Sequence, residues 1–253
     1  NYIMERFLER LSLSLYRDNL ILKGGVLVSS IVGLDNRSTM DVDATIRNLS
    51  LSVESAREIV GKITSVPLGD GMSFEIKSAD IIMDEADYAG VRVMLEATLE
   101  TMRTPLKIDL STGDVITPGE VAYSLRLLFE DRAISILSYN LETMLAEKLE
   151  TVLSRGTANT RMRDFYDIYA LETMQRHNIN LAVLSDALTN TSRKRNTSSV
   201  IAAAALILNE IQNNPEIMAL WNSYKRKFEY AANVDWEDVM ASVRKLCTIV
   251  KCS

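Results

Sequence analysis

The spacing of apolar residues divides the chain into two parts with different periodicities. In the first part, alternating or short continuous apolar runs predict strands, with helical spacing between them. We expect strands at residues 41–46, 72–84, 91–99, 106–110 and 134–137, and helices at residues 2–17, 26–31 and 53–65. Residues 20–22 form a short apolar lead into a glycine pair, and Ser52 is placed to cap the third helix.

From residue 141 onward the apolar spacing is helical almost throughout. It predicts helices at residues 141–155, 163–175, 181–191, 199–213, 216–230 and 236–250. The change of character places a domain boundary near residues 138–140. We therefore expect an α+β protein, with an α/β lobe containing a mixed sheet at residues 1–139 and an all-helical lobe at residues 140–253.

Composition narrows the class of protein without naming a function. The 253 residues are 47% apolar and 25% charged, which is ordinary for a soluble globular chain. The longest apolar run, residues 200–208, is too short to span a bilayer, and the acid-bearing N-terminus does not resemble a signal peptide. Cys247, Cys252 and the single histidine, His177, do not suggest a disulfide framework or a zinc site. We expect a cytoplasmic protein with no membrane contact.

Charge is distributed unevenly between the two parts. The net charge is −6, with −7 in residues 1–140 and +1 in residues 141–253. Basic residues of the second part gather at 155–163, 193–195 and 225–227. An acidic part beside a part with basic clusters suits an enzyme that acts on a polyanion, although each cluster by itself is also typical of a solvated helix face.

Two aspartates in the strand at 41–46 carry the strongest chemical signal. Residues i and i+2 of a strand share a face, so Asp41 and Asp43 project together. Neighbouring carboxylates repel each other unless a cation lies between them, and Mg²⁺ commonly takes one or two protein carboxylates together with phosphate oxygens. The alternative is a surface strand with alternating acids.

Two further features strengthen the interpretation of the aspartate pair. Gly24 and Gly25 permit a close approach of phosphate to backbone N–H groups, or else form only a tight turn. Asp109, in PLKIDLSTGD, lies between two apolar residues and so faces away from the apolar side of its strand. It is a candidate third metal ligand, or a base for an attacking hydroxyl.

The order of these motifs resembles the active-site pattern of the DNA polymerase β-type nucleotidyltransferase superfamily. Within it the chain is similar to the AbiEii/AbiGii toxins of type IV toxin–antitoxin and abortive infection systems, which are related to the MenT toxins. The resemblance runs from about residue 22 to 171 and includes Arg37 and Thr39 ahead of the aspartate pair. It continues through EKLETVLSRGTANTRMRDFYD at residues 147–167. Gly25 departs from the serine that many superfamily members carry.

The resemblance implies a role for each matching residue. Asp41 and Asp43 would hold up to two Mg²⁺ ions and a nucleoside triphosphate, with Asp109 as third acid; Lys148 would contact the triphosphate, and Asp164 is the later acid of the motif. The nucleotide-binding set that it implies is Gly24, Gly25, Arg37, Thr39, Lys148 and Arg155. The residues themselves leave open a structural network in which Asp164 and Asp167 pair with Lys148, Arg161 or Arg163.

The implied activity is transfer of a nucleotide to the 3′ end of tRNA, which blocks translation, with a cognate antitoxin as partner. Tyr166, Tyr169, Tyr224 and Tyr230 lie near the basic clusters in sequence and are candidates for stacking on RNA bases. Two alternatives remain. The acceptor could be a small molecule or a protein hydroxyl, or the chain could bind a nucleotide or a partner without turnover. The nucleotide used, the acceptor chosen and the oligomeric state have no signal in the sequence.

Overall fold

The structure is a computed structural model that describes residues 2–33, 35, 39, 41–83 and 89–249. Its contacts divide the described residues into two compact units. The first unit contains those of Asn1–Ser30, Ser38–Asp114 and Glu120–Tyr139, and the second those of Ile31–Arg37, Val115–Gly119 and Asn140–Ser253. The second unit therefore also takes two short segments from the first part of the chain.

A single mixed sheet forms the centre of the first unit. Its strands are β1 (Leu20–Lys23), β2 (Asp41–Ile46), β3 (Met72–Met83), β4 (Ala89–Leu99), β5 (Met102–Thr112), β6 (Val121–Arg126) and β7 (Ala133–Ser138). Among the described residues these seven strands lie in the order β3-β4-β5-β2-β1-β7-β6. β2 runs parallel to β5 and β1 parallel to β7, while the other neighbours are antiparallel.

The helices of the first unit differ in how much of their surface they bury. They are α1 (Tyr2–Leu13), α2 (Gly24–Val32) and α3 (Val53–Thr64). In α3 the buried residues are Ala56, Ile59, Val60 and Ile63, which is the i, i+3, i+4, i+7 spacing of one helix face. Ser52 caps α3 as predicted, because its side chain accepts a hydrogen bond from the Ser55 N–H group.

The second unit is built from helices around an apolar core. They are α4 (Leu141–Arg155), α5 (Met162–Gln175), α6 (Leu181–Lys194), α7 (Ser198–Ala202), α8 (Ala204–Asn213), α9 (Pro215–Lys227) and α10 (Trp236–Ile249). Asparagine side chains cap the N-termini of α4, α6 and α9. Buried core residues include Leu149, Phe165, Leu184, Trp221 and Val243. The predicted α+β class is confirmed.

Several predicted helix limits were wrong. The helix expected at 2–17 ends at Leu13, where Ser14 donates back to the carbonyl of Leu11 and begins a turn. The helix expected at 26–31 begins at Gly24, and that expected at 216–230 ends at Lys227. The helix expected at 199–213 is interrupted at Ala203, whose N–H group donates to the carbonyl of Val200.

Two strand predictions failed. β6 was missed although Val121, Tyr123 and Leu125 alternate along it, and Leu125 is the one buried position of this edge strand among the described residues. β5 is longer than the predicted 106–110 and contains Pro105. That proline lies before β2 begins to pair at Lys107, so it removes no hydrogen bond to β2. Within the described residues, no helix combines the length and apolar character needed to cross a lipid bilayer.

Candidate active site

Four charged side chains form a row across four neighbouring strands of the first unit. Lys23 on β1 lies opposite Asp43 on β2, which lies opposite Asp109 on β5, which lies opposite Arg92 on β4. Register partners on adjacent strands place their side chains on the same face about 5 Å apart. The sheet therefore brings two acids together and flanks them with two cations.

Asp43 is the centre of this row. Burial and the neighbouring carboxylate of Asp109 raise the pKa of Asp43, while Lys23 and a backbone N–H group act in the opposite direction. That N–H group belongs to Gly25 and lies 3.4 Å from Oδ2 of Asp43. Because Gly25 is in the first turn of α2, its N–H group has no acceptor within the helix and can face the acid.

Gly24 is required by its backbone conformation and by its closeness to Asp43. Its φ is +67°, in the left-handed region that favours glycine. A Cβ at this position would lie 2.2 Å from Oδ2 of Asp43 and 2.9 Å from its Cβ. Since the Cβ of Asp43 is itself too close, rotation of that side chain could not relieve the collision. The glycine pair thus lets β1 and α2 pack directly against the acid.

Replacing Gly24 by Ala should destabilise the protein by about 2–4 kcal/mol, from left-handed strain plus a steric collision. The matched control is Gly69→Ala, since Gly69 has φ +66° and a Cβ there would meet no described atom within 4 Å. The Gly69→Ala variant should lose only about 1 kcal/mol of unfolding free energy. Urea unfolding measures this free energy for both variants. Equal losses in the two variants would contradict a tight packing of Gly24 on Asp43.

Asp41 lies on the same face as Asp43, with the buried Val42 between them pointing the other way. Lys107 of β5 places its Nζ 2.7 Å from Oδ2 of Asp41. Thr39, also buried, accepts a hydrogen bond of 3.4 Å from the N–H group of Asp41. Arg37, the other residue of this motif in the predicted nucleotide-binding set, lies outside the described residues.

Two further ion pairs complete the charged face. Arg92 donates to both oxygens of Asp109, with each bond at 2.8 Å. Lys23 lies 2.6 Å from Asp114, which also accepts from Ser111. Burial opposes the charged form of Asp114, but the ammonium group of Lys23, together with hydrogen bonds from Ser111 and Tyr139, lowers the pKa of that carboxyl.

The donors at this face suit a hard divalent cation. Asp41 and Asp43 offer carboxylate oxygens, and the raised pKa of Asp43 reflects burial together with a repulsion that a bound cation would relieve. Within the described residues, no three His, Cys, Asp or Glu side chains already form a metal-ion cluster. Mg²⁺ does not need such a cluster, because it commonly takes one or two carboxylates and completes its shell with water and phosphate.

The second unit holds the other predicted residues. Nζ of Lys148 on α4 lies 3.0 Å from Asp164 and 2.7 Å from Asp167, both on α5. Burial works against the charge of Lys148, but the two carboxylates outweigh it and raise its pKa. Burial likewise opposes the charge of Asp164, but Lys148 and then Arg161 lower the pKa of that carboxyl. The charge of Arg155 acts in the same direction.

This arrangement identifies the partners of Lys148. Only 12% of its side chain is exposed, and its ammonium group contacts the two aspartates of the next helix. The alternative in which Asp164 and Asp167 pair with Lys148 and Arg161 is the one observed. A direct role for Lys148 or Arg155 on the triphosphate stays a prediction.

The prediction that tyrosines stack on RNA bases is wrong for Tyr166 and Tyr224, and for Tyr169 and Tyr230 it stays a prediction. Tyr166 and Tyr224 are 4% and 8% exposed, and they pack with Trp221, Phe228 and Tyr230 in an aromatic cluster of the second unit. Their faces are occupied by each other. Tyr166 is far from the other four in the sequence, and different helices bring them together in this core.

Sequence reasoning missed four charged residues of the candidate site. They are Lys23, Arg92, Lys107 and Asp114. Lys107 precedes Asp109 by two residues and so shares its face, and Lys23 adjoins the glycine pair; both signals were present. Arg92 could not be found in this way, because its position depends on the register between β4 and β5.

Comparison with known proteins places the chain in a family. A sequence model described as "Nucleotidyl transferase AbiEii toxin, Type IV TA system" matches residues 6–242. The chain belongs to the AbiEii family. It is therefore a nucleotidyltransferase of a toxin–antitoxin system, and the family implies a cognate antitoxin as partner. The resemblance drawn from the motifs is confirmed and extends over more of the chain.

Solved structures support the same fold. A protein from H. pylori that carries the description nucleotidyltransferase has a TM-score of 0.53 and 15% identity, covering 98% of this chain and 91% of its own. JHP933 from Helicobacter pylori has a TM-score of 0.53 and 16% identity, covering 98% of this chain and 88% of its own. At such identities the likeness shows the fold. No curated protein matches the AbiEii chain.

Proposed function

We propose that this AbiEii protein transfers a nucleotide from a nucleoside triphosphate to the 3′ end of tRNA in the cytoplasm and thereby blocks translation. The observation that carries the proposal is the placement of Asp41 and Asp43 on one sheet face, with the α2 N-terminus against Asp43. Carboxylates that hold a cation and N–H groups that attract phosphate are the two elements that nucleotidyl transfer requires.

The residues of the sheet face have distinct roles in this reaction. Asp41 and Asp43 would hold Mg²⁺, which when bound stabilises negative charge on the reacting phosphate. The absence of side chains at Gly24 and Gly25 would let the triphosphate approach the start of α2. Gly24 also lets the backbone lie against Asp43, with which a Cβ there would collide. The acceptor hydroxyl attacks the α-phosphorus in line, and pyrophosphate leaves.

Charge in the second unit supports an RNA acceptor. Arg226 and Lys227 are exposed at the end of α9, and Arg193 and Lys194 are exposed at the end of α6. Arginine and lysine at such positions can contact phosphates of a polyanion without reading its sequence. Arg195, by contrast, is engaged by Glu147 and Glu150 and contributes less.

The test is label transfer to purified acceptors. Wild-type protein, Mg²⁺ and each of the four labelled triphosphates are incubated in turn with total tRNA, with other RNA, and with an RNA-free extract of proteins and small molecules. We expect label on tRNA, and its loss in EDTA. Label on a protein or small molecule instead would show that tRNA is not the acceptor. No transfer in any arm would favour nucleotide binding without turnover.

Growth inhibition tests the same proposal in cells. Expression of the wild-type chain should halt growth and protein synthesis. The tRNA from these cells should carry the transferred nucleotide at its 3′ end. Inhibition that leaves translation unaffected would contradict tRNA as the relevant target, even if transfer to tRNA occurs with purified components.

A further inference from the structure

Cations hold Asp109 and Asp41 in two different ways. Nε and Nη2 of Arg92 each donate to a different oxygen of Asp109, both at 2.8 Å. Lys107 reaches Asp41 through one oxygen at 2.7 Å, and its Nζ lies 4.0 Å from Asp109. A guanidinium fork fixes the plane of a carboxylate, whereas an ammonium group on a flexible stem is a point charge that can turn away.

A cation that enters this face therefore meets acids that are held by their partners with different firmness. Asp41 is released when Lys107 swings aside, and the exposed quarter of the Lys107 side chain gives it room. Asp109 has both oxygens engaged by a two-point contact, and its position opposite Arg92 is fixed by the β4/β5 register. Asp43 is held differently, because the N–H group of Gly25 reaches one of its oxygens at the longer distance of 3.4 Å.

Formal charge at the face also limits the number of ions. The acids are Asp41, Asp43, Asp109 and Asp114, and the cations are Lys23, Arg92 and Lys107. These described groups leave a net formal charge of −1, which one divalent ion would already reverse to +1. A second ion would bring the net formal charge of the face to +3 before any phosphate is bound. Positive charges placed this close together repel each other strongly.

We propose that Arg92 is a positioning residue that keeps Asp109 out of the metal coordination shell, so that the nucleotide-free site takes a single divalent ion on Asp41 and Asp43. This rests on the proposed function and revises the expectation that Asp109 is a third ligand. Asp109 is instead a fixed acceptor beside the ion, oriented by Arg92 to receive a hydrogen bond from the acceptor substrate.

The first experiment compares Asp43 with Asp109. The full chain without nucleotide is titrated with Mn²⁺, and electron paramagnetic resonance measures the free ion. Wild-type protein should bind one ion. Asp43→Asn should weaken binding by at least about tenfold, as expected for loss of a metal-site residue. Asp109→Asn should weaken it by only about threefold, because one nearby negative charge is lost while no oxygen that contacts the ion is removed. No Arg92 variant is needed for this comparison.

The second experiment tests the role of Arg92 itself. Arg92→Gln should tighten Mn²⁺ binding by about tenfold, because one positive charge is removed and Asp109 is released. The double variant Arg92→Gln/Asp109→Asn keeps the net formal charge of the wild type, so its affinity should return to the wild-type value. Arg103→Gln is the matched control: Arg103 is also on the sheet, but it lies 3.8 Å from Glu96, which belongs to no part of the charged face.

Three outcomes of the two titrations would each overturn the inference. They are two equivalent ions in wild-type protein, an Asp109→Asn variant as weak as Asp43→Asn, and an unchanged affinity in folded Arg92→Gln. Absence of any Mn²⁺ binding without nucleotide would overturn it as well. The proposed function is decided separately, because label transfer is measured with the triphosphate present.

Discussion

Replacing Asp43 by Asn should lower nucleotidyl transfer by about a thousandfold, which corresponds to about 4 kcal/mol of lost transition-state stabilisation. Asparagine keeps the size of the side chain and one oxygen, but it removes the charge that would hold a cation at the start of α2. The same variant should no longer inhibit growth when expressed. Single-turnover label transfer measures the loss.

Stability separates this effect from damage to the fold. The pKa of Asp43 is raised by burial and by Asp109, so its ionised form costs folding free energy at neutral pH. Neutral asparagine removes that cost, and we expect Asp43→Asn to be at least as stable as wild type in metal-free buffer. Asp131→Asn is the control, because Asp131 is fully exposed and lies 3.7 Å from Arg126. Full transfer in folded Asp43→Asn would contradict a catalytic role.

Local periodicity explains what the sequence could predict. The spacing predicts β2, α3 and α4 to within one residue at each end, because each has a regular apolar face and clear flanking signals. It also predicts that Asp41 and Asp43 share a face, which depends only on the alternation of a strand. The motif order was enough to indicate the family.

Non-local pairing explains what the sequence could not predict. The row from Lys23 to Arg92 depends on three strand registers, and the central one joins β2 to β5, which are far apart in the chain. The break at Ala203 lies in an alanine-rich run with no glycine or proline, so nothing local marks it. β6 does alternate, with Val121, Tyr123 and Leu125 on one face, but it is short and only Leu125 is buried, so its pattern was overlooked.

Replacing Lys148 by Met should destabilise the protein by about 3–5 kcal/mol, since it leaves two buried carboxylates without their shared cation. Asp167 is fully buried and Asp164 nearly so. The pKa of Asp164 is lowered and that of Lys148 raised, so the charges of both persist at pH 7, the condition of measurement. Lys62→Met is the control, because Lys62 is an exposed helical lysine paired with Glu58, and its loss should change the free energy of unfolding very little.

A triple variant separates the structural role of Lys148 from a role on the substrate. Adding Asp164→Asn and Asp167→Asn to Lys148→Met removes the two carboxylate charges that shared the lysine and should restore most of the lost stability, because apolar or neutral replacement of a buried ion pair is often tolerated. Transfer should stay low if the Lys148 ammonium contacts the triphosphate, and the KM for the nucleotide should rise. Recovery of transfer together with stability would show that this lysine acts only by holding α4 and α5 together.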